Sequence, residues 1–253
     1  LIQPSEFFKI AIIIYVADYL AKRYRIKSFR KDLFFPAFLV MIGFGLILLQ
    51  PDFGSGLVMV CSIVIMVLAA DSPLSYFVRV GILGAGGLGG LILSAPYRLA
   101  RITSFIDPWK DPLGAGFQII QSLFAIAPGG ILGVGFDNSM QKHFYLPEPQ
   151  TDFIFAIYAE EFGFIGSVLL IGLFIAVIYQ GVKIAKNCTD PYLCYIAIGL
   201  TSLFAIQVMI NLGVVVGLFP VTGITLPFIS YGGSSLMVMM GSMGLLMSIA
   251  KES

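Results

Sequence analysis

Asp152 is the residue of this chain best placed to move a proton. It stands in the stretch 142–161, KHFYLPEPQTDFIFAIYAEE. Pro147 and Pro149 hold the chain extended, because proline fixes φ and disfavours helix in the residue before it. A helix then starts near Thr151, which puts Asp152 in its first turn. The positive end of the helix dipole favours an ionised carboxylate there, and such a group can accept a proton from an attacking hydroxyl. A first-turn acid can equally do no more than cap its helix. Arg98, Arg101 and Lys142 bracket the segment 96–151. Guanidinium and ammonium groups can grip a phosphate or snorkel to lipid headgroups.

Other ionisable residues fall inside apolar stretches, where lipid makes charge costly and function a default candidate. Glu160 and Glu161 lie about two turns into the helix that follows Asp152. At least one of them must face a helix bundle or a wet cavity, as a structural partner or as part of a site. Glu6 and Lys9 are three residues apart on one helical face, either a self-neutralising pair or part of a site. Asp18 faces a basic loop. Asp52 follows Pro51 and reads as a helix-start residue.

Several motifs carry little. Gly84-x-Gly86-x-x-Gly89 has dinucleotide spacing, but that fingerprint needs a preceding strand. Within a membrane span, small residues more often permit close helix packing. Asn187-Cys188-Thr189 matches a glycosylation sequon on the predicted cytoplasmic side. His143 is the single histidine, and nothing local makes a triad of it with Asp152. Cys61, Cys188 and Cys194 form neither a disulfide nor a metal pattern.

The elements that must position these residues are membrane helices. The chain is 58% hydrophobic and 11% charged, with a mean hydropathy of +0.95. A soluble domain carries about 25% charged residues, so this chain has too few to cover a water-exposed surface. A formal net charge of +1 leaves no nucleic-acid footprint. The expected fold is an all-α polytopic membrane bundle. Seven apolar spans are expected, at about residues 4–20, 33–49, 54–70, 73–95, 152–179, 191–212 and 226–250. Lys22, Arg23, Arg25, Lys27, Arg30 and Lys31 place the first loop in the cytoplasm. Alternation then puts Lys183, Lys186 and Lys251 inside, and the segment 96–151 outside. That segment is far longer than the roughly 12–15 residues of ordinary connections. Within it, Ile120, Leu123, Phe124 and Ala127 share one face of a helix at 117–127, with Gln118, Gln121 and Ser122 opposite. This is the pattern of an interfacial or re-entrant helix. The chain opens at Leu1 almost inside an apolar span, which is expected of a fragment lacking an N-terminal part.

Several stretches together resemble the SEDS family (shape, elongation, division and sporulation). They are QPSEF at 3–7, QPDFGS at 50–55, Pro96-Tyr97-Arg98 with Asp107-Pro108-Trp109, and Leu146-Pro147-Glu148 with TDFIFA at 151–156 and Glu160-Glu161. The last are PVTGITLPF at 220–228 and SYGGSS at 230–235. They run through the whole chain in family order. Thr225-Leu226-Pro227 looks like the division and sporulation branch (FtsW, SpoVE) rather than the elongation branch (RodA).

The resemblance implies a single transmembrane domain, akin to GT-C glycosyltransferases, that lacks the family's first three spans here. It implies polymerisation of lipid II, the undecaprenyl-pyrophosphate-linked precursor of peptidoglycan, by an inverting displacement on the outer face of the bacterial plasma membrane. Asp152 matches the family's essential outer-face aspartate and becomes the expected general base. Arg98, Arg101, Lys142, Glu148 and Glu160 are the candidate substrate-binding residues. A divalent cation, Mg2+ or Mn2+, is a candidate cofactor, although the sequence shows no dedicated cage. The implied partners are a class B penicillin-binding protein with transpeptidase activity and other division-site membrane proteins. The competing functions are a lipid II flippase, with Glu6, Lys9, Glu160 and Glu161 along its path, and a non-catalytic division scaffold.

Overall fold

The computed structural model describes residues 3–23, 33–50, 52–73, 81, 84, 86, 89–90, 103–114, 116–139 and 150–252. All regular structure among them is helical. The helices are α1 (Pro4–Ala21), α2 (Phe34–Leu49), α3 (Phe53–Ala69), α4 (Phe117–Gly129), α5 (Ile154–Asn187), α6 (Pro191–Val215) and α7 (Gly233–Glu252). Among the described residues, α5, α6 and α7 are long and apolar enough to cross a bilayer, and α2, α3 and α4 are apolar but shorter. The protein is a multi-pass membrane protein. Most of the expected span at 73–95 lies outside the described residues. Gly81, Gly84, Gly86, Gly89 and Gly90 within it are helical.

The chain divides into two compact units. One comprises Leu1–Ile82, Ala176–Gln207 and Gly232–Ser253, the other Leu83–Ile175 and Val208–Tyr231.

In the first unit, α1 packs against α2, α3 and α7. Its buried stripe runs Ser5, Glu6, Lys9, Ile12, Ile13, Val16, Ala17 and Leu20, a helical spacing. Gly199 of α6 lies where a Cβ would strike Ile13 and Met66, so glycine there lets the backbone of α6 come close. By contrast α2 exposes Phe34, Phe38, Met41, Ile42, Leu46 and Leu49. A bilayer accepts such an apolar face, which a soluble protein would have to cover. Asp18 meets Lys22 at 2.6 Å in an exposed pair, worth little at a surface.

The buried pair is different. Lys9 Nζ lies 2.7 Å from Glu6 Oε1, with side chains only 1% and 5% exposed. The self-neutralising reading of the sequence is the arrangement observed. Glu6 Oε2 and Ser5 Oγ are also buried, without hydrogen-bond partners. Each charge is tolerated only because the other is present. Lys9→Met alone is therefore expected to destabilise the protein by about 3–5 kcal/mol. Glu6→Leu with Lys9→Met should recover most of that loss. Thermal unfolding in detergent would read both, and equal losses in the single and double variants would contradict the pairing.

Candidate active site

Asp152 lies in a turn, not in a helix. The turn covers 150–153 and α5 begins only at Ile154, three residues after the start expected near Thr151, so Asp152 precedes the helix. Proline signals upstream mark the approach of a helix, but the first hydrogen-bonded residue is set by where the turn carbonyls find partners. Those partners come from the far end of the chain. The Tyr231 N–H donates to the Gln150 carbonyl at 2.7 Å. Ser230 Oγ donates to the Thr151 carbonyl at 2.5 Å. Asn211 Nδ2 donates to the Asp152 carbonyl at 2.9 Å. Three successive carbonyls are thus held by three donors from 211–231. The same donors organise the opposing loop. Asn211 Nδ2 also reaches the Ile224 carbonyl at 2.7 Å, and Ser230 Oγ accepts from the Leu226 N–H at 2.7 Å.

The loop itself corrects the expected span at 226–250. Residues 216–232 are irregular and α7 starts at Gly233. Pro227 cannot donate a helical hydrogen bond. Phe228 adopts φ 65°, a conformation that costs a non-glycine residue about 1–3 kcal/mol and clusters at functional sites. It lets the Ser230 N–H return to the Leu226 carbonyl at 3.0 Å. Gly223 has φ +75°, and a Cβ there would stand 3.7 Å from Asp152 Oδ2. Asp152 is half-buried, and Gly223 beside it is exposed. The carboxylate therefore sits near the surface, flanked by a residue with no side chain.

Glu160 and Glu161 are both buried, nearly two turns into α5 and about 9 Å along its axis from Ile154. Neither is brought to the Asp152 carboxylate by the helix. Glu160 Oε2 accepts from Ser139 Oγ at 2.5 Å. Glu161 Oε1 is buried with no hydrogen-bond partner. Just beyond them α5 breaks. Gly163 has φ 65° and ψ −161°, a region open essentially to glycine alone. A break leaves carbonyls and N–H groups unpaired on its two sides, and the loop after α4 satisfies them. Val134 N–H donates to the Glu160 carbonyl at 3.0 Å and Gly135 N–H to that of Glu161 at 3.1 Å. Phe164 and Ile165 N–H donate to the carbonyls of Gly130 and Ile131 at 2.9 and 3.2 Å. Gly129 and Gly133 allow this contact, since a Cβ on either would collide with the backbone of α5.

Helix α4 is present at the expected place, and most of its apolar stripe, Leu123, Phe124 and Ala127, is exposed, as an interfacial or re-entrant helix allows. Ile119, Ile120, Ser122 and Ala125 are buried, whereas Leu123 and Phe124 are exposed. Ser122 Oγ donates to the Val215 carbonyl at 2.8 Å.

The structure brings together three family-like stretches in the first unit. Asp52 caps α3 by accepting from the Ser55 N–H at 3.0 Å, as the sequence predicts. Its other oxygen accepts from Gln3 Nε2 at 3.1 Å, and the Gln3 N–H donates to Ser234 Oγ at 3.0 Å. Arg98, Arg101, Lys142, Glu148 and His143 lie outside the described residues. Among those described, no three His, Cys, Asp or Glu side chains converge on a metal position. Asn211, Ser139 and Gly163 go unnoticed in the sequence. An amide in an otherwise apolar span is the signal for Asn211. Ser139 and Gly163 have no comparable signal.

The whole chain, residues 1–253, matches the family FTSW_RODA_SPOVE, described as cell cycle protein. The chain belongs to this family. It is 53% identical to stage V sporulation protein E of Bacillus subtilis (strain 168), covering 100% of this chain and 69% of the relative. It is 40% identical to the probable peptidoglycan glycosyltransferase FtsW of Geobacter sp. (strain M18), covering 98% and 68%. Among solved structures, it resembles a chain of a peptidoglycan synthase complex that coordinates polymerization and crosslinking. That match has a TM-score of 0.80 and 33% identity over 99% of this chain and 70% of the other. The rod shape determining protein RodA of Thermus thermophilus matches with a TM-score of 0.68 and 28% identity, over 99% and 66%. The FtsW/RodA/SpoVE membership agrees with the resemblance read from the motif stretches.

The break in α5 yields a direct prediction. Gly163→Ala should cost at least about 1–3 kcal/mol of stability through backbone strain, with the collision of its Cβ with the Gly133 backbone nitrogen adding to it, measured by thermal unfolding in detergent. Gly172→Ala, in the same helix where an added Cβ meets nothing within 4 Å, should instead be stabilising by up to about 1 kcal/mol.

Proposed function

We propose that Asp152 is the general base of this enzyme's reaction, peptidoglycan glycosyl transfer. The observation that carries the reading is the turn at 150–152. Its three carbonyls are fixed by Tyr231, Ser230 and Asn211, and its carboxylate stands beside exposed Gly223. A base must be held rigidly and still be reached by substrate, and this turn meets both needs.

The substrate is lipid II. The acceptor sugar's 4-hydroxyl attacks the donor's anomeric carbon, and its proton passes to the Asp152 carboxylate. The new C–O bond forms as the bond from that carbon to the pyrophosphate oxygen breaks. Undecaprenyl pyrophosphate leaves with the electron pair. Attack opposite an α-linked leaving group gives a β-1,4 strand, so the reaction inverts. Arg98, Arg101 and Lys142 are the proposed partners of the leaving pyrophosphate, and Glu148 and Glu160 complete the proposed substrate contacts. Among the described residues the donor set is too small to assign a divalent cation a site, and no step is routed through one. The segment 96–151 and the turn at Asp152 lie on the outer face of the plasma membrane, within a single catalytic domain. The enzyme works at the division septum or in sporulation, beside a class B penicillin-binding protein that crosslinks the strands it makes.

A flippase would need intramembrane charges available to a passing headgroup. Glu6 and Lys9 instead neutralise each other at 2.7 Å.

Asp152→Asn, in the full-length protein with its partner present, should reduce glycan strand formation from lipid II to background. Folding should be intact by size-exclusion profile and thermal midpoint. Strands formed at the parental rate by that variant would remove Asp152 from the mechanism.

A further inference from the structure

We infer that Asn211 is the positioning residue for Asp152, with Ser230 as its lesser partner; the inference rests on Asp152 being the base. Asn211 is 1% exposed in α6. Its amide nitrogen donates to the carbonyls of Asp152 and Ile224, at 2.9 and 2.7 Å. One side chain thereby joins the two non-helical segments that flank the carboxylate. Ile224 adjoins Gly223, where an added Cβ would stand 3.7 Å from Asp152 Oδ2.

The chemistry of the amide points the same way. Its Oδ1 is buried with no hydrogen-bond partner, a desolvation cost that leucine, of similar volume, would not carry. Packing alone would be served better by leucine. What leucine cannot supply is two N–H donors from one point to two chain segments. Ser230 bridges the same segments one residue earlier, from the Thr151 carbonyl to the Leu226 N–H. Both residues bond the backbone that carries the carboxylate rather than the carboxylate itself. They therefore act on where the base stands, and a misplacement of about 1 Å can lower a rate about 100-fold.

The test measures kcat and KM for lipid II polymerisation per folded molecule, in the full-length protein with its partner. Asn211→Leu should lower kcat at least about 10-fold while KM stays within about 3-fold, the signature of a lost transition-state arrangement. Ser230→Ala should lower kcat by less, and Ser230→Thr, which keeps the hydroxyl, should restore it. A parental kcat in Asn211→Leu, or a loss carried wholly by KM, overturns the inference. If Asn211→Leu does not fold, Asn211→Asp decides. Its carboxyl has no N–H and donates at most one hydrogen bond, when protonated, so it cannot hold both carbonyls and its kcat should fall at least about 10-fold with KM within about 3-fold. A parental kcat in Asn211→Asp overturns the inference. Asp152→Asn run alongside separates the two claims. An inactive Asp152→Asn with an unaffected Asn211→Leu refutes positioning alone, whereas an active Asp152→Asn refutes the base itself.

Discussion

Three backbone carbonyls in succession, those of Gln150, Thr151 and Asp152, lie in a turn that precedes α5. Such groups need hydrogen-bond donors, from protein or from water. They find Tyr231 N–H, Ser230 Oγ and Asn211 Nδ2. That pairing fixes the turn and ties the start of α5 to the segment between α6 and α7. It also leaves Asp152 at a half-buried position with a glycine beside it. A side chain on a loop is normally held less precisely than one on a helix. Here the loop is bonded residue by residue.

The same constraint shapes α5 further on. A helix that breaks at Gly163 exposes polar groups on both sides of the break. The loop 130–135 supplies matching donors and acceptors, and glycines at 129, 133 and 163 let two backbones touch. Irregular backbone in a membrane protein is tolerated where protein covers it. Glu160, Glu161 and Ser139 gather beside this break, so the buried carboxylates and the broken helix are one feature. The Glu6–Lys9 pair follows the electrostatic version of the rule. Two charges survive burial because they lie 2.7 Å apart.

Much of the fold is legible in the sequence because lipid demands long apolar runs. The expected spans at 4–20, 33–49, 54–70 and 191–212 correspond closely to α1, α2, α3 and α6. Local charge geometry is legible too. Glu6 with Lys9, Asp18 with Lys22 and Asp52 at the start of α3 follow from spacing within a helix or its cap. Legibility fails where partners are remote. The start of α7 shifts from Leu226 to Gly233 because 226–231 is engaged with 150–152, some 80 residues away in the chain. The partner of Ser122 in α4, the Val215 carbonyl, is equally remote in the chain. Of the proposed site, Asp152 and Glu160 are described, while Arg98, Arg101, Lys142 and Glu148 lie outside the described residues.

The sequence by itself determined that the chain lives in a membrane, which apolar runs cross it, and which family its motif stretches point to. Those properties depend on composition and on residues near one another in the chain. Tertiary structure alone decided that Asn211 and Ser230 hold the turn of Asp152, that α5 breaks at Gly163 against the loop after α4, and that Glu160 bonds Ser139. The reason is physical. A buried polar group must be satisfied, but any donor of the right geometry will serve, and only the folded path of the chain says which one arrives.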